Sequence, residues 1–210
     1  PPSGKHGTVQ TIIQEQVVVS NVFSELQMAC ECRTLRLSVN TCRKHAQVED
    51  EDDWILADQK NVLSAQRRMA GRLPKLIAAP WARIINLGTV GSTSPNTRMP
   101  GYYAAKGALA NMTIGLAKEV AGSNIRVNLV SPGMIHTPEV EHSYMQLAAK
   151  RGWGDTWAEV EPHVAKDIPI RRISRREEVA GLVAFLCSPL ADAIHGQNIR
   201  IDGGQLGIVD

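Results

Sequence analysis

The chain has few cysteines. Cys30, Cys32 and Cys42 fall together and Cys187 lies far away, a poor basis for a disulfide framework. A reducing cytoplasm is the expected setting. Cys30, Cys32, Cys42 and His45 could be read as metal ligands, but their spacing, C-x-C-x9-C-x2-H, is not a strong zinc pattern, and incidental thiols are the simpler reading. Charge of one sign is also lacking. The formal net charge is +2 and no Lys/Arg block stands out, which argues against a nucleic-acid partner. No apolar run approaches the roughly 18 residues that cross a bilayer, so no membrane partner is expected. Pro1 to Gly7 hold no apolar h-region of a signal peptide. The chain opens on Pro1 rather than Met, which suggests a start inside a longer reading frame. Internal repeats and low-complexity tracts are missing.

What is present is a globular composition: 210 residues, 43% of them hydrophobic, enough for one domain over 1–210 with a proper core. The pattern changes near residue 50. Before it, short apolar runs such as Ile12-Ile13 and Val17-Val18-Val19 hold no sustained period; a helix over about 9–26 and a strand over 34–39 are the expectation. After it, Asp50, Glu51, Asp52 and Asp53 suit the positive end of a helix dipole. Val62, Gln66, Met69, Leu73 and Leu76 then recur at helical spacing, predicting a helix over 53–79 with a kink at Pro74. Arg83 to Leu87 reads as a buried strand, Tyr102 to about Ala121 as a helix, and Ile125 to Val130 as a strand stopped by Ser131-Pro132-Gly133. Ser174-Arg175-Arg176-Glu177 predicts a capping box opening a helix to Cys187, and Asn198 to Ile201 a last strand.

Strands alternating with helices predict a parallel sheet with crossover connections. In open parallel sheets, ligands bind beyond the carboxyl ends of the strands. Thr89 and Pro132-Gly133 lie just past two such ends and would face one crevice. Tyr102 and Lys106 are four apart on a predicted helix and share a face. A tyrosine ordinarily titrates at about 10. A neighbouring ammonium favours the phenolate, and a tyrosine so tuned can exchange a proton with a carbonyl or alcohol oxygen. The same spacing also occurs on ordinary solvated helix faces.

The segments around this pair carry a resemblance. Asp53-Trp54, then Asn61, Leu73-Pro74 and Arg83-Ile84-Ile85-Asn86 follow one pattern. Tyr102-Tyr103-Ala104-Ala105-Lys106, Ile125-Arg126-Val127-Asn128, Ser131-Pro132-Gly133 and Gly196 to Gly204 continue it. Together they resemble the short-chain dehydrogenase/reductases. The resemblance implies an α/β fold, a doubly wound parallel sheet of Rossmann type whose N-terminal part is reduced. Residues 1–50 would be the remnant of the cofactor half and 51–210 the catalytic and substrate-binding part. It implies hydride transfer between NAD or NADP and a small alcohol or carbonyl substrate, in a homodimer or homotetramer that packs the two long helices.

Residue by residue, the resemblance makes Tyr102 the general acid/base and Lys106 its partner and a ligand of the nicotinamide ribose. Asn61 would hold a relay water. Thr89, thirteen residues before Tyr102, would stand for the substrate-orienting serine, keeping its hydroxyl and adding a methyl; it also reads as an ordinary loop-start threonine. Pro132, Gly133, Ile135 and Thr137 match the segment that contacts the nicotinamide carboxamide and phosphates, and Gly133 reads equally as a turn residue. Residues 134–170 match a variable substrate loop, where Met134, Val140, Tyr144, Met145, Trp153 and Trp157 either line a pocket or pack on the core. His136 and His142 are expected on the surface.

The cofactor half departs from the pattern. A phosphate-binding glycine turn is reduced to Gly4-Lys5-His6-Gly7-Thr8-Val9, so Gly4 and Gly7 are its candidates, with Val9 at the third glycine. Only 46 residues lie between Gly7 and Trp54, short for two further strands and their helices. A divergent segment, a missing or frame-shifted one, or a paralogue without dinucleotide binding would each produce this, and an exposed sheet edge would lower stability. The competing functional reading is a catalytically impaired relative that acts as a binding or oligomer-forming partner.

Overall fold

The computed structural model describes the backbone of residues 17–20 and all of residues 49–207. Four strands form one fully parallel sheet in the order β1 (Val17–Ser20), β2 (Ala82–Leu87), β3 (Ile125–Pro132) and β6 (Asn198–Ile201). A second, two-stranded sheet joins β4 (Ile135–His136) to β5 (Ser174–Arg175). The helices are α1 (Glu51–Asp58), α2 (Ser64–Ala78), α3 (Pro100–Glu119), α4 (Pro138–Arg151), α5 (Trp157–Val164) and α6 (Arg176–Leu186).

Alternation along the strands sets the two layers. Ala82 and Ile84 of β2, with Ile125, Val127 and Leu129 of β3, pack against Ala65, Met69 and Leu76 of α2 and Leu109 and Leu116 of α3. Ile85, Leu87 and Val130 point the other way, onto Val179, Val183 and Leu186 of α6. All six residues of β2 are buried, as a strand covered by helices on both faces must be. This is the doubly wound α/β arrangement that the sequence predicts.

Polar residues on these strands follow the same alternation and are bonded accordingly. Asn86, on the α2/α3 face, donates to Thr113 Oγ1 at 2.8 Å, and that hydroxyl donates to the Leu109 carbonyl at 2.7 Å. Arg83, on the α6 face, is fully buried and reaches Asp192 at 3.0 Å, with its guanidinium 4.5 Å from the centre of the Trp81 ring. Arg126 meets the same carboxylate at 3.4 Å. Asp192→Ala therefore leaves Arg83 buried without its counter-charge and is expected to cost about 2 kcal/mol in urea unfolding; an unchanged midpoint would show that Trp81 and the Ala82 carbonyl suffice. His195 ties β3 to α3. Its Nδ1 accepts from the Val127 N–H at 3.1 Å, so the ring proton is placed on Nε2, which donates to the Ala117 carbonyl at 2.8 Å.

Several elements differ from the sequence expectation. Val17–Ser20 is a strand in register with Arg83–Asn86, not part of a helix; three consecutive valines are stiff at χ1 and favour the pleated backbone. The rest of the expected 9–26 helix, the expected 34–39 strand, and Cys30, Cys32, Cys42 and His45 lie outside the described residues. The long helix begins at Glu51, because Asp50 caps it by accepting from the Asp53 N–H at 2.9 Å. Its break from α geometry is a π turn over Gln59–Leu63, while α2 continues through Pro74 to Ala78. Helix α3 starts at Pro100, a favourable first helical residue, rather than at Tyr102. Strand β3 runs past its expected stop at Val130, because Leu129–Pro132 pairs with Asn198–Ile201.

The cap of α6 is shifted by one residue. Glu178, not Glu177, reaches back to the Arg175 N–H at 2.7 Å, and Ser174 sits in β5, donating to the Ile201 carbonyl at 3.3 Å. The segment expected as a variable loop holds α4 and α5. There Met134, Val140 and Trp157 pack on Ala165, Ile168 and Ile173, so packing on the core is what these three do. Trp153 lies between the His163 ring and the Arg151 guanidinium. His136 is not a free surface residue: it stacks on Trp157 at 4.9 Å and bonds Glu141 at 2.8 Å. His142 is exposed, beside Gln146.

Candidate active site

All four strands of the main sheet run the same way, so Leu87, Pro132 and Ile201 end at one edge. The chain leaves that edge through Gly88-Thr89, through Gly133 and through the Asp202-Gly203-Gly204 turn. Asp202 closes the turn by accepting from the Gly204 and Leu206 N–H groups at 2.9 and 2.8 Å. Gly133 donates to the Ile201 carbonyl at 3.1 Å. A Cβ on Gly133 would lie 3.0 Å from the Asp202 Cα, so only glycine lets these two segments meet.

Helix α3 starts above the same edge. Lys106 is buried, and its Nζ donates to the Leu87 carbonyl at 2.7 Å, which pins α3 to the end of β2. Tyr102, one turn earlier, is buried beside it, with Nζ 5.7 Å from the ring centre. No residue among those described hydrogen-bonds the Tyr102 hydroxyl. The spacing of four thus brings Tyr102 and Lys106 together at the crevice, two residues from Thr89 through Leu87.

The electrostatics differ from the simple expectation of a phenol acidified by an ammonium. Burial raises the Tyr102 pKa, with a smaller contribution in the same direction from Tyr103. Burial lowers Lys106 to about 7. Both groups sit in the same low-dielectric site, and Nζ lies over the ring and on a backbone carbonyl rather than at the hydroxyl. Desolvation therefore wins over pairing. Near neutral pH, Tyr102 is held as the protonated phenol.

Asn61 lies within the π turn that packs on α3, and its Nδ2 donates to the Ala57 carbonyl at 2.8 Å. Single π turns inside helices are frequent at functional sites, because they redirect one side chain and free one carbonyl. Thr89 opens the short 3-10 turn Val90–Ser92, with Oγ1 accepting from the Gly91 N–H at 3.2 Å. Pro132 is the last residue of β3. The Ile135 side chain is in the core against α6, which leaves only its backbone for contact with a ligand. Thr137 caps α4 by accepting from the Val140 N–H at 3.3 Å. Gly4 and Gly7 lie outside the described residues.

Sequence reasoning missed two contributors here. Glu49 accepts from the Gly101 N–H at 2.9 Å and so caps α3 immediately before Tyr102. Tyr103 covers Gly91. Neither contact has a local sequence signal, since each joins residues brought together only by the fold.

Comparison with known proteins agrees with this geometry. Residues 39–205 match the family model described as Enoyl-(Acyl carrier protein) reductase. The chain is 36% identical over 162 residues to the uncharacterized oxidoreductase YvrD of Bacillus subtilis, covering 76% of this chain and 61% of that protein. It is 33% identical over 152 residues to the 3-oxoacyl-[acyl-carrier-protein] reductase FabG of Aquifex aeolicus, covering 72% and 56%. It thus spans about three fifths of the length of these curated relatives. Among solved structures, L-sorbose reductase from Gluconobacter frateurii, complexed with NADPH and L-sorbose, superposes with a TM-score of 0.79 at 26% identity, covering 95% of this chain and 69% of that one. A parallel sheet wound on both faces, a Tyr-x-x-x-Lys helix pinned to the end of β2, and these matches together show that the chain belongs to the short-chain dehydrogenase/reductase family.

Proposed function

We propose that the protein is a nicotinamide-dependent oxidoreductase that interconverts a small carbonyl compound and its alcohol, with Tyr102 as the general acid/base. The observation that carries this is the meeting of Tyr102, Lys106 and Leu87 at the carboxyl edge of the sheet. The residues present suit the nicotinamide end of such a cofactor. Lys106 has given one of its three N–H bonds to Leu87 and keeps two for ribose hydroxyls. Pro132, Gly133 and the backbone of Ile135 would form the adjoining wall, with Thr137 beside them. The candidates for the phosphate end, Gly4 and Gly7, await a test by binding.

Bound there, NAD or NADP supplies or accepts the hydride. The chain's own residues handle the proton and the geometry. The neutral Tyr102 phenol donates its proton to the carbonyl oxygen in reduction and takes it back in oxidation. Thr89 Oγ1 already accepts from Gly91, so its O–H donates to the same substrate oxygen and fixes its direction. Lys106 orients the ribose and, when Tyr102 gives up its proton, offers the nearest positive charge. Asn61 holds a water on the path by which that proton is replaced. The NADPH complex of the L-sorbose reductase supports NADPH as the first cofactor to try. The family resemblance would make the protein a homodimer or homotetramer that packs α1–α2 and α3 of one copy on those of another. No helix among the described residues is long and apolar enough to cross a membrane.

Titration of the full chain with NADPH and NADH, followed by cofactor fluorescence, tests the proposal. Binding below millimolar concentration is the expected result. Absence of binding for both cofactors at millimolar concentration sinks the enzyme reading and leaves the alternative of a catalytically impaired binding or oligomer-forming relative.

A further inference from the structure

The loop between β2 and α3 is organised by two small hydrogen-bonded turns that meet at one aromatic ring. In the first, the Gly91 N–H donates to Thr89 Oγ1 at 3.2 Å and Ser92 Oγ donates to the Thr89 carbonyl at 2.7 Å. In the second, the Arg98 N–H donates to Asn96 Oδ1 at 2.9 Å. That bond fixes the amide, whose Nδ2 donates to the Tyr103 hydroxyl at 2.7 Å. The Tyr103 ring lies flush on Gly91, so closely that a Cβ there would enter the edge of the ring. Gly91 does not have a positive φ, so contact with the ring, not backbone conformation, is what requires glycine at this position. The same ring meets Tyr102 edge-on, with centroids 5.4 Å apart and planes at 63°.

Tyr103 therefore touches both sides of the proposed substrate-oxygen site. One side is Tyr102 itself. The other is the turn whose N–H holds the Thr89 hydroxyl. We infer that Tyr103 is a positioning residue that sets the separation of the Tyr102 and Thr89 hydroxyls, by pressing its ring on Gly91 and against Tyr102. This rests on the proposal that the two hydroxyls act on one carbonyl oxygen. Two donors aimed at one atom tolerate little drift, since a displacement of about 1 Å can cost on the order of 100-fold in rate. Rigid packing supplies that precision, because an aromatic ring wedged between Gly91 and the Tyr102 ring has little freedom left. The Asn96 bond aligns the ring, and the ring does the positioning.

The test uses the full chain with NADPH and whichever of two ketone probes, ethyl acetoacetate or L-sorbose, the wild type turns over faster. Tyr103→Ala is expected to lower kcat by about 10- to 100-fold with the NADPH dissociation constant within twofold. Tyr103→Phe keeps the ring and is expected to restore kcat to within threefold of wild type. Gly91→Ala should lower kcat in the wild-type background, where the methyl meets the ring. It should add nothing in the Tyr103→Ala background, where the ring is gone, the non-additivity expected of groups in contact, and urea unfolding of each variant separates lost turnover from lost stability. A Tyr103→Ala variant with kcat within twofold of wild type overturns the inference while the oxidoreductase proposal stands. So does Phe as damaging as Ala, or Gly91→Ala acting equally in both backgrounds. A wild-type chain that binds neither NADPH nor NADH at millimolar concentration overturns the oxidoreductase proposal, and the inference with it.

Discussion

Tyr102→Phe is expected to lower turnover by about 100- to 10,000-fold, the range typical of a positioned general acid, while NADPH binding stays within twofold. The reason for so clean a separation is local. The ring is buried on α3 and the substitution preserves its shape and its edge contact with Tyr103. The hydroxyl alone is lost, and no described residue depends on it for a hydrogen bond. Burial holds that hydroxyl in its protonated form at neutral pH, so the group removed is a proton donor in the state that carbonyl reduction needs. Lys106 keeps its bond to Leu87 and its remaining N–H groups for the ribose. Steady-state kinetics with cofactor fluorescence on the same preparation measures both quantities. A variant with more than a tenth of wild-type turnover would move the acid to another residue.

Lys106→Met should do two opposite things: remove activity and strengthen the fold. The unfolded chain holds the Lys106 proton up to its ordinary pKa of 10.5, while the folded chain releases it near 7. Between those values the unfolded state binds more protons, so stability rises with pH across that window. Below it both states are protonated and the cost of the buried ammonium stands in full. A shift of this size corresponds to roughly 5 kcal/mol as an upper bound. Losing the bond to the Leu87 carbonyl returns about 1 kcal/mol against the variant. The net expectation is a Lys106→Met chain more stable by up to about 4 kcal/mol at pH 6, an advantage that narrows above pH 7 and becomes a deficit of about 1 kcal/mol above pH 10.5. Urea unfolding of both proteins at pH 6, 8 and 10 reads this directly. A difference that does not change with pH would mean that the ammonium is not desolvated in the folded state. Such an exchange of stability for a costly buried group is common where a site must hold reactive chemistry.

How much of this was legible in the sequence depends on the range over which each signal acts. Arg83 to Leu87, Asn198 to Ile201 and the body of α3 were readable because periodicity and composition are local properties. So was the meeting of Tyr102 and Lys106, which needs only a helix and a spacing of four. Val17–Ser20 was misread because a short apolar run is ambiguous until its partner strand is known, and the partner is β2. The π turn at Asn61 was invisible because it answers to packing against α3. Glu49 and Gly91 took their roles from Gly101 and Tyr103, contacts that only tertiary structure creates. The ionisation of the pair was misjudged for the same reason. Spacing shows that a lysine is near a tyrosine, but not that both are dry.

The parallel sheet also constrains how the molecule is made. Every ladder in it joins distant segments: Val17 to Arg83, Ala82 to Ile125, Leu129 to Asn198. Among the described residues no pair of neighbouring strands is linked by a hairpin, so none of these can zip up from a turn, and each closure entropy falls due before any ladder bond forms. Helix α3 is the long segment that joins β2 to β3, and its docking is expected to help those strands align. The residues proposed for chemistry at its first turns would then be set in place while the sheet is still assembling. Non-local closure of this kind is expected to slow assembly, so refolding yield should fall as chain concentration rises.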